Sequence, residues 1–95
     1  MTGASTITIH VPGPLRPYCG GAKTLSLSAA SVRSALEHLE MRHPDLHRSI
    51  RDETGAVRRH VNLFVNSDNV RDLAGLETEL AEGDVLTIMP AVSGG

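Results

Sequence analysis

The residues with the clearest chemical use in this chain are the ones with the smallest side chains. Residues 90–95 read Pro-Ala-Val-Ser-Gly-Gly. Glycine has no Cβ, so Gly94 and Gly95 can enter a narrow channel, take backbone angles closed to other residues, and present a carboxylate to another protein's active site. A carboxylate is a poor electrophile until it is activated. A partner enzyme using ATP would adenylate it, and a sulfur donor would then displace AMP and leave a thiocarboxylate, whose anionic sulfur is a stronger nucleophile than a carboxylate oxygen. Glycine is about 7% of average sequence, so a chance diglycine at one place arises in roughly one chain in 200, and the pair alone is weak evidence. Its position sharpens it: the pair follows directly on a strand-like segment, Pro90 and three small residues. Gly95 is thus a candidate attachment point, with Gly94, Ser93 and Val92 as candidate contacts of a partner's channel.

The other reactive groups do not converge by spacing. Cys19 is the single cysteine, which excludes an intramolecular disulfide and a zinc site built from several thiolates. With no histidine beside it and no cation nearer than Arg16, in a loop between Tyr18 and Gly20, it reads as a spectator. His38, His43 and His47 are spaced by five and four residues and interrupted by Pro44, so one helical face cannot stack them and no metal is expected. Glu77, Glu79, Glu82 and Asp84 read as a solvated acidic face suited to an Arg-rich partner, and Ser26, Ser28 and Ser31 lack a paired base. All catalytic groups would then belong to partners, and the chain itself is not expected to be an enzyme.

Hydrophobic periodicity supplies the frame. Residues 6–11 alternate with Ile7, Ile9 and Val11 on one face, the pattern of a half-buried strand. Pro12, Gly13, Pro14 and Pro17 then forbid regular pairing, and a second strand at 23–27 turns Leu25 and Leu27 inward. From Ser31 the period becomes helical: Val32, Ala35, Leu36 and Leu39 fall at i, i+3, i+4 and i+7, with Ser28 or Ser31 as cap and Pro44 forcing a stop near His43. Leu46 and Ile50 read as a half-turn packing back, and residues 52–59 as a polar connection whose Arg58 and Arg59 stay wet. A third strand at 61–65 places Val61, Leu63 and Val65 inward and Asn62 and Phe64 outward. Residues 66–69 make a turn, Val70 and Arg71 begin a short returning strand, and Leu73, Leu76 and Leu80 suggest a helical turn or two. The last strand, 85–89, carries Leu86 and Ile88 inward and Met89 outward until Pro90 ends the pairing. The expected class is α+β: a mixed sheet of four to five strands with one main helix across one face, a single domain over residues 1–90 and a tail over 91–95. Phe64 and Met89, on the face the helix leaves open, are candidates with Val92 for an apolar docking patch.

Composition narrows the partners. Ninety-five residues make one domain, with 40% apolar and 21% charged residues. No apolar run approaches the roughly 20 residues that span a bilayer. The first residues show neither a basic nor an apolar leader region, so cytoplasmic residence is expected and membrane insertion is not. Tyr18 and Phe64 are the only aromatics, and residues 68–84 hold six acids against Arg71, so nucleic acid is a poor partner.

Strand order, length and the ending Met-Pro-Ala-Val-Ser-Gly-Gly at 89–95 together resemble the ThiS/MoaD family of sulfur carriers over essentially the whole chain. Within that family the chain is most similar to CysO-type carriers. Val-Pro-Gly-Pro-Leu-Arg-Pro-Tyr at 11–18, His-Val-Asn-Leu-Phe-Val-Asn at 60–66, Asp68-Asn69-Val70-Arg71, and Gly83-Asp84 before Val85 carry that likeness. The resemblance implies a ubiquitin-like β-grasp fold and a sulfur carrier with no cofactor of its own. It further implies adenylation at Gly95 by an E1-like (MoeB/ThiF-type) activating enzyme using ATP and Mg, then thiocarboxylate formation. Delivery would go to a synthase, either a cysteine synthase followed by a metalloprotease that frees cysteine, or a thiazole-synthase-like enzyme. Two alternatives share the same tail: a ubiquitin-like modifier conjugated to lysines, and the small subunit of a molybdopterin-synthase-like complex. A monomer is expected, because a free tail must reach its partners.

Overall fold

The computed structural model describes residues 5–90. In chain order these form β1 (Ser5–His10), a 3-10 segment (Gly13–Cys19), β2 (Thr24–Ala29), α1 (Val32–Arg42), α2 (Pro44–Ile50), β3 (Val61–Val65), β4 (Asp68–Asn69), 3-10 turns at Val70–Asp72 and Gly75–Glu77, and β5 (Val85–Pro90). The strands make one sheet in the order β2-β1-β5-β3-β4. β1 lies antiparallel to β2 and parallel to β5, and β5 is antiparallel to β3. This is the expected α+β arrangement, with the last strand at the centre of a mixed sheet.

Alternation decides which face is buried. Ile7 and Ile9 of β1, Val61, Leu63 and Val65 of β3, and Leu86 and Ile88 of β5 turn to one side, where they form one core with Val32, Ala35, Leu36 and Leu39 of α1 and Leu46 and Ile50 of α2. Side chains such as Leu36, Leu46, Ile50 and Leu86 are wholly enclosed. Each contributes about 1.5–3 kcal/mol by leaving water. α1 begins at a reciprocal capping box: Ser34 N–H donates to Ser31 Oγ at 3.2 Å, and Ser31 N–H donates to Ser34 Oγ at 3.3 Å.

Five local expectations need correction. Pro44 not only stops α1 but opens α2, a full seven-residue helix where a half-turn was expected, because a first helical position makes no use of the missing N–H. Residues 13–19 coil into a 3-10 segment closed by Gly20 at φ 72, and this packs Cys19 into the core at 6% exposure. The short returning strand is Asp68–Asn69, not one starting at Val70, because Asn69 Oδ1 accepts the Arg71 N–H at 2.9 Å and turns the chain away from β3. Of the three leucines expected in a helical turn, Leu80 is buried and Leu73 is exposed, the turns being of 3-10 type. Arg58 is half-buried rather than wet, its Nε donating to Arg48 O at 2.9 Å.

Pro90 also departs from expectation: it stays in the sheet, opposite Val61. The ladder explains why it is tolerated. Asn66 N–H donates to Val85 O at 2.7 Å, and hydrogen-bonded pairs alternate in an antiparallel ladder, so 64/87 and 62/89 are bonded pairs and 61/90 is not. β3 asks no N–H of residue 90. The other side of β5 meets β1 only through Val85, Leu86 and Thr87, so Pro90 lies past that ladder as well.

Candidate functional site

β5 carries the chain to one end of the sheet. Because β1 and β5 run parallel, His10 and Pro90 lie towards the same end, and the antiparallel β3 brings Val61 there too. Of the expected site residues, Val92, Ser93, Gly94 and Gly95 lie outside the described residues, as does the tail over 91–95. What is described is the platform from which that tail departs.

Phe64 and Met89 come together on it. Phe64 faces Thr87 and Asn62 faces Met89 across the β3–β5 ladder, so Phe64 and Met89 are diagonal neighbours on the face opposite α1 and α2. Met89 is 50% exposed and Phe64 half-buried. Beside them sits a cation that sequence reasoning missed. Arg71 donates from Nη1 to Asn62 Oδ1 at 2.6 Å and from Nη2 to Val61 O at 3.2 Å, filling the edge of β3 beyond the reach of β4. The apolar pair is thus bordered by a guanidinium.

A cleft of about 370 Å³ adjoins Pro90, walled by Tyr18 of the 3-10 segment, Arg48 of α2, and Arg58, His60 and Val61. Among the described residues no carboxylate lines it. A second cleft of similar volume, about 360 Å³, lies on the other side of Arg48 and Arg58 and contains His47 and Arg51. His47 is 8% exposed, and burial pushes its imidazole below the usual 6.5, opposed by Glu40 and reinforced by Arg51 and Arg48. Arg51 Nη1 stands 3.4 Å from His47 Nε2. The only signal for these clefts in the sequence is the run of bases at 48, 51, 58 and 59 around a polar connection.

The remaining candidates scatter. Cys19 Sγ lies 3.5 Å from the carbonyl oxygens of Arg16 and Ala22, a satisfied core thiol. Among the described residues no three His, Cys, Asp or Glu side chains are placed to hold a metal. The acidic set is not merely a solvated face. Glu77 pairs with Arg33, Glu82 Oε1 accepts the Thr6 N–H at 2.9 Å, and Asp84 accepts from Ala81 N–H at 2.8 Å and from Asn66 Nδ2 at 3.1 Å. The Ala81 N–H, helped by Asn66, holds the Asp84 carboxyl below the usual carboxylate range. These acids build turns at the opposite end of the sheet. Ser31 serves as a helix cap, while Ser26 and Ser28 are exposed along β2. Among the described residues no helix is long and apolar enough to cross a membrane.

A mixed sheet whose last strand is central, with one main helix across a single face and an open apolar pair beside the departing chain, defines the ubiquitin-like β-grasp class of small carrier proteins. The pattern of the ThiS family matches residues 9–95, and the chain belongs to that family. It is 37% identical over 91 residues to the sulfur carrier protein CysO of Mycobacterium tuberculosis, covering 94% of this chain and 98% of that one. A chain in the crystal structure of the Amycolatopsis orientalis BexX/CysO complex superposes with a TM-score of 0.86 at 37% identity, over 94% of this chain and 99% of that one. The solution structure of small archaeal modifier protein 1 from Methanosarcina acetivorans gives 0.84 at 32% identity, over 97% and 98%. The protein is thus a carrier that partner enzymes act upon, not an enzyme itself.

Proposed function

We propose that this ThiS-family sulfur carrier works through Gly95, whose carboxylate is adenylated by a MoeB/ThiF-type activating enzyme with ATP and Mg and then converted to a thiocarboxylate. In the first step the carboxylate oxygen attacks the α-phosphorus and pyrophosphate leaves. In the second, sulfide or its donor-bound equivalent attacks the acyl carbon, the bond to AMP breaks, and the sulfur stays on Gly95. The carrier then hands sulfide to a synthase making cysteine or another sulfur-containing metabolite. One observation carries the reading: the family match runs from residue 9 through Gly95. Val92, Ser93 and Gly94 would line the activating enzyme's channel while Phe64 and Met89 dock on its surface. Intact-mass measurement after incubation with such an enzyme, ATP and sulfide tests it. An oxygen-to-sulfur increase on the wild type, absent after deletion of Gly95, is the expected result; an unchanged wild-type mass overturns it.

A second reading, a modifier joined to lysines of other proteins, is supported by the likeness to small archaeal modifier protein 1. It calls for higher-mass conjugates in cell lysate that depend on Gly95.

A further inference from the structure

The charges of this molecule are sorted by the ends of its sheet, in a way the linear sequence does not display. At the end where Pro90 lies, Arg58, Arg59 and His60 lead into Val61, and Arg48 lines the same cleft as Pro90. Arg16 Nε donates to Val11 O at 3.1 Å, and Lys23 O accepts the Val11 N–H at 2.8 Å, which fixes both basic residues just past the end of β1. Of the acids nearest this end, Asp45 pairs with Arg48 and Asp52 accepts the N–H groups of Thr54 and Ala56, while Glu40 and Glu53 line the second cleft opposite Arg48, Arg51 and Arg58.

The far end has the opposite sign. Glu82 accepts the Thr6 N–H near the start of β1, Asp84 accepts from Ala81 N–H and Asn66 Nδ2 in the turn before β5, Asp68 follows the end of β3, and Glu79 bridges to Ser31 beyond the end of β2. Arg71 is the one base in residues 68–84, yet its guanidinium runs back along β3 to Asn62 and Val61, adding its charge towards the Pro90 end. Arg33, at the start of α1, is a base on the far side and is paired with Glu77, so the balance of charge is acidic at the far end and basic at the Pro90 end.

From this arrangement we propose that the basic end is the docking surface, and that the partner opening which admits residues 91–95 is rimmed by acidic side chains. The inference rests on the reading of Gly95 as the activated residue. It reverses the polarity expected from the sequence: an Arg-rich partner would meet the end of the molecule remote from the tail. Charge separation of this kind orients the carrier during approach and raises association rates by about 10- to 1,000-fold at low salt. The effect fades as the screening length falls from about 30 Å at 0.01 M to about 3 Å at 1 M.

The test uses the full chain and a MoeB/ThiF-type activating enzyme of the same organism, with association followed by stopped flow and thiocarboxylate by intact mass. Lys23 and Arg59 are exposed, so Lys23→Glu with Arg59→Glu reverses charge at the basic end without touching the core. Asp68→Lys with Glu79→Lys does the same at the far end, and thermal melts establish that both variants fold. The first pair is expected to slow association at least about tenfold at 0.01 M ionic strength, with the gap closing at about 1 M. The second pair should leave the rate within about twofold or raise it. Equal rates for both pairs, or slowing only by the far-end pair, overturn the inference while thiocarboxylate still forms. Failure of the wild type to gain sulfur at either salt removes the reading of Gly95 itself, and the docking inference with it.

Discussion

The two ends of the sheet use polar groups differently. At the far end, carboxylates and amides are spent on the backbone. Glu82 takes the Thr6 N–H, Asp84 takes Ala81 N–H and Asn66 Nδ2, and Asn66 Oδ1 takes the Val85 N–H at 3.1 Å. Gly83, at φ 85, lets the turn fold tightly enough for its N–H to reach Thr6 O at 2.9 Å. At the Pro90 end, Arg59 and Tyr18 stay exposed and two clefts remain open. One end is closed by its carboxylates and amides; at the other, guanidinium groups also tie down backbone carbonyls, while Lys23 and Arg59 stay exposed. The lesson is that like-looking charged stretches can have separate duties, holding turns in one place and remaining open to solvent in another.

Substitutions can probe that division directly. Asp84→Ala removes the acceptor of two solvent-accessible donors, so it should cost about 0.5–1.5 kcal/mol in chemical denaturation while leaving the association rate with an activating enzyme unchanged. A loss below a few tenths of a kcal/mol would mean the far end is not closed as described. Ser31→Ala removes the capping box of α1 and should cost about 1 kcal/mol by the same measurement.

Next comes pH. His47 is depressed below its unfolded value of 6.5, so the unfolded chain takes up the proton more readily; its contribution is complete above that value and is lost as pH falls through the folded pKa. Asp84 is likewise depressed, from 3.8, so its contribution persists until the solution is strongly acidic. Melting temperature should therefore fall on going from neutral to mildly acidic pH, and His47→Gln should flatten that slope while Asp84→Asn leaves it unaltered. The smallest effect belongs to Arg59→Ala, exposed and without a side-chain partner among the hydrogen bonds found: its stability should stay within about 0.5 kcal/mol of wild type. A larger loss would assign the basic end a structural duty as well.

Much of the scaffold was legible because burial imposes a period. Ile7 and Ile9, Val61, Leu63 and Val65, and Leu86 with Ile88 could point inward only as strands, and Val32, Ala35, Leu36 and Leu39 only as a helix. Phe64 and Met89 were placed on the open face by the same alternation. What escaped depends on partners distant in sequence. Cys19 is buried because a run of prolines and glycines coils tightly instead of wandering, and Asp68–Asn69 pairs where it does because the Asn69 side chain claims the next turn. The sorting of charge needed the parallel β1–β5 pair, which no local pattern specifies, and the direction of one guanidinium, that of Arg71.

Pro90 gives the fold a guard against unwanted company. Beyond Thr87 the β1-facing edge of β5 has no ladder partner among the described residues, and a bare edge of N–H groups is a template on which another chain can add a strand. A residue with no N–H at that point denies the newcomer its first donor, without cost to β3 on the other side. Copies of the chain are thereby refused a foothold for strand addition along this stretch of β5.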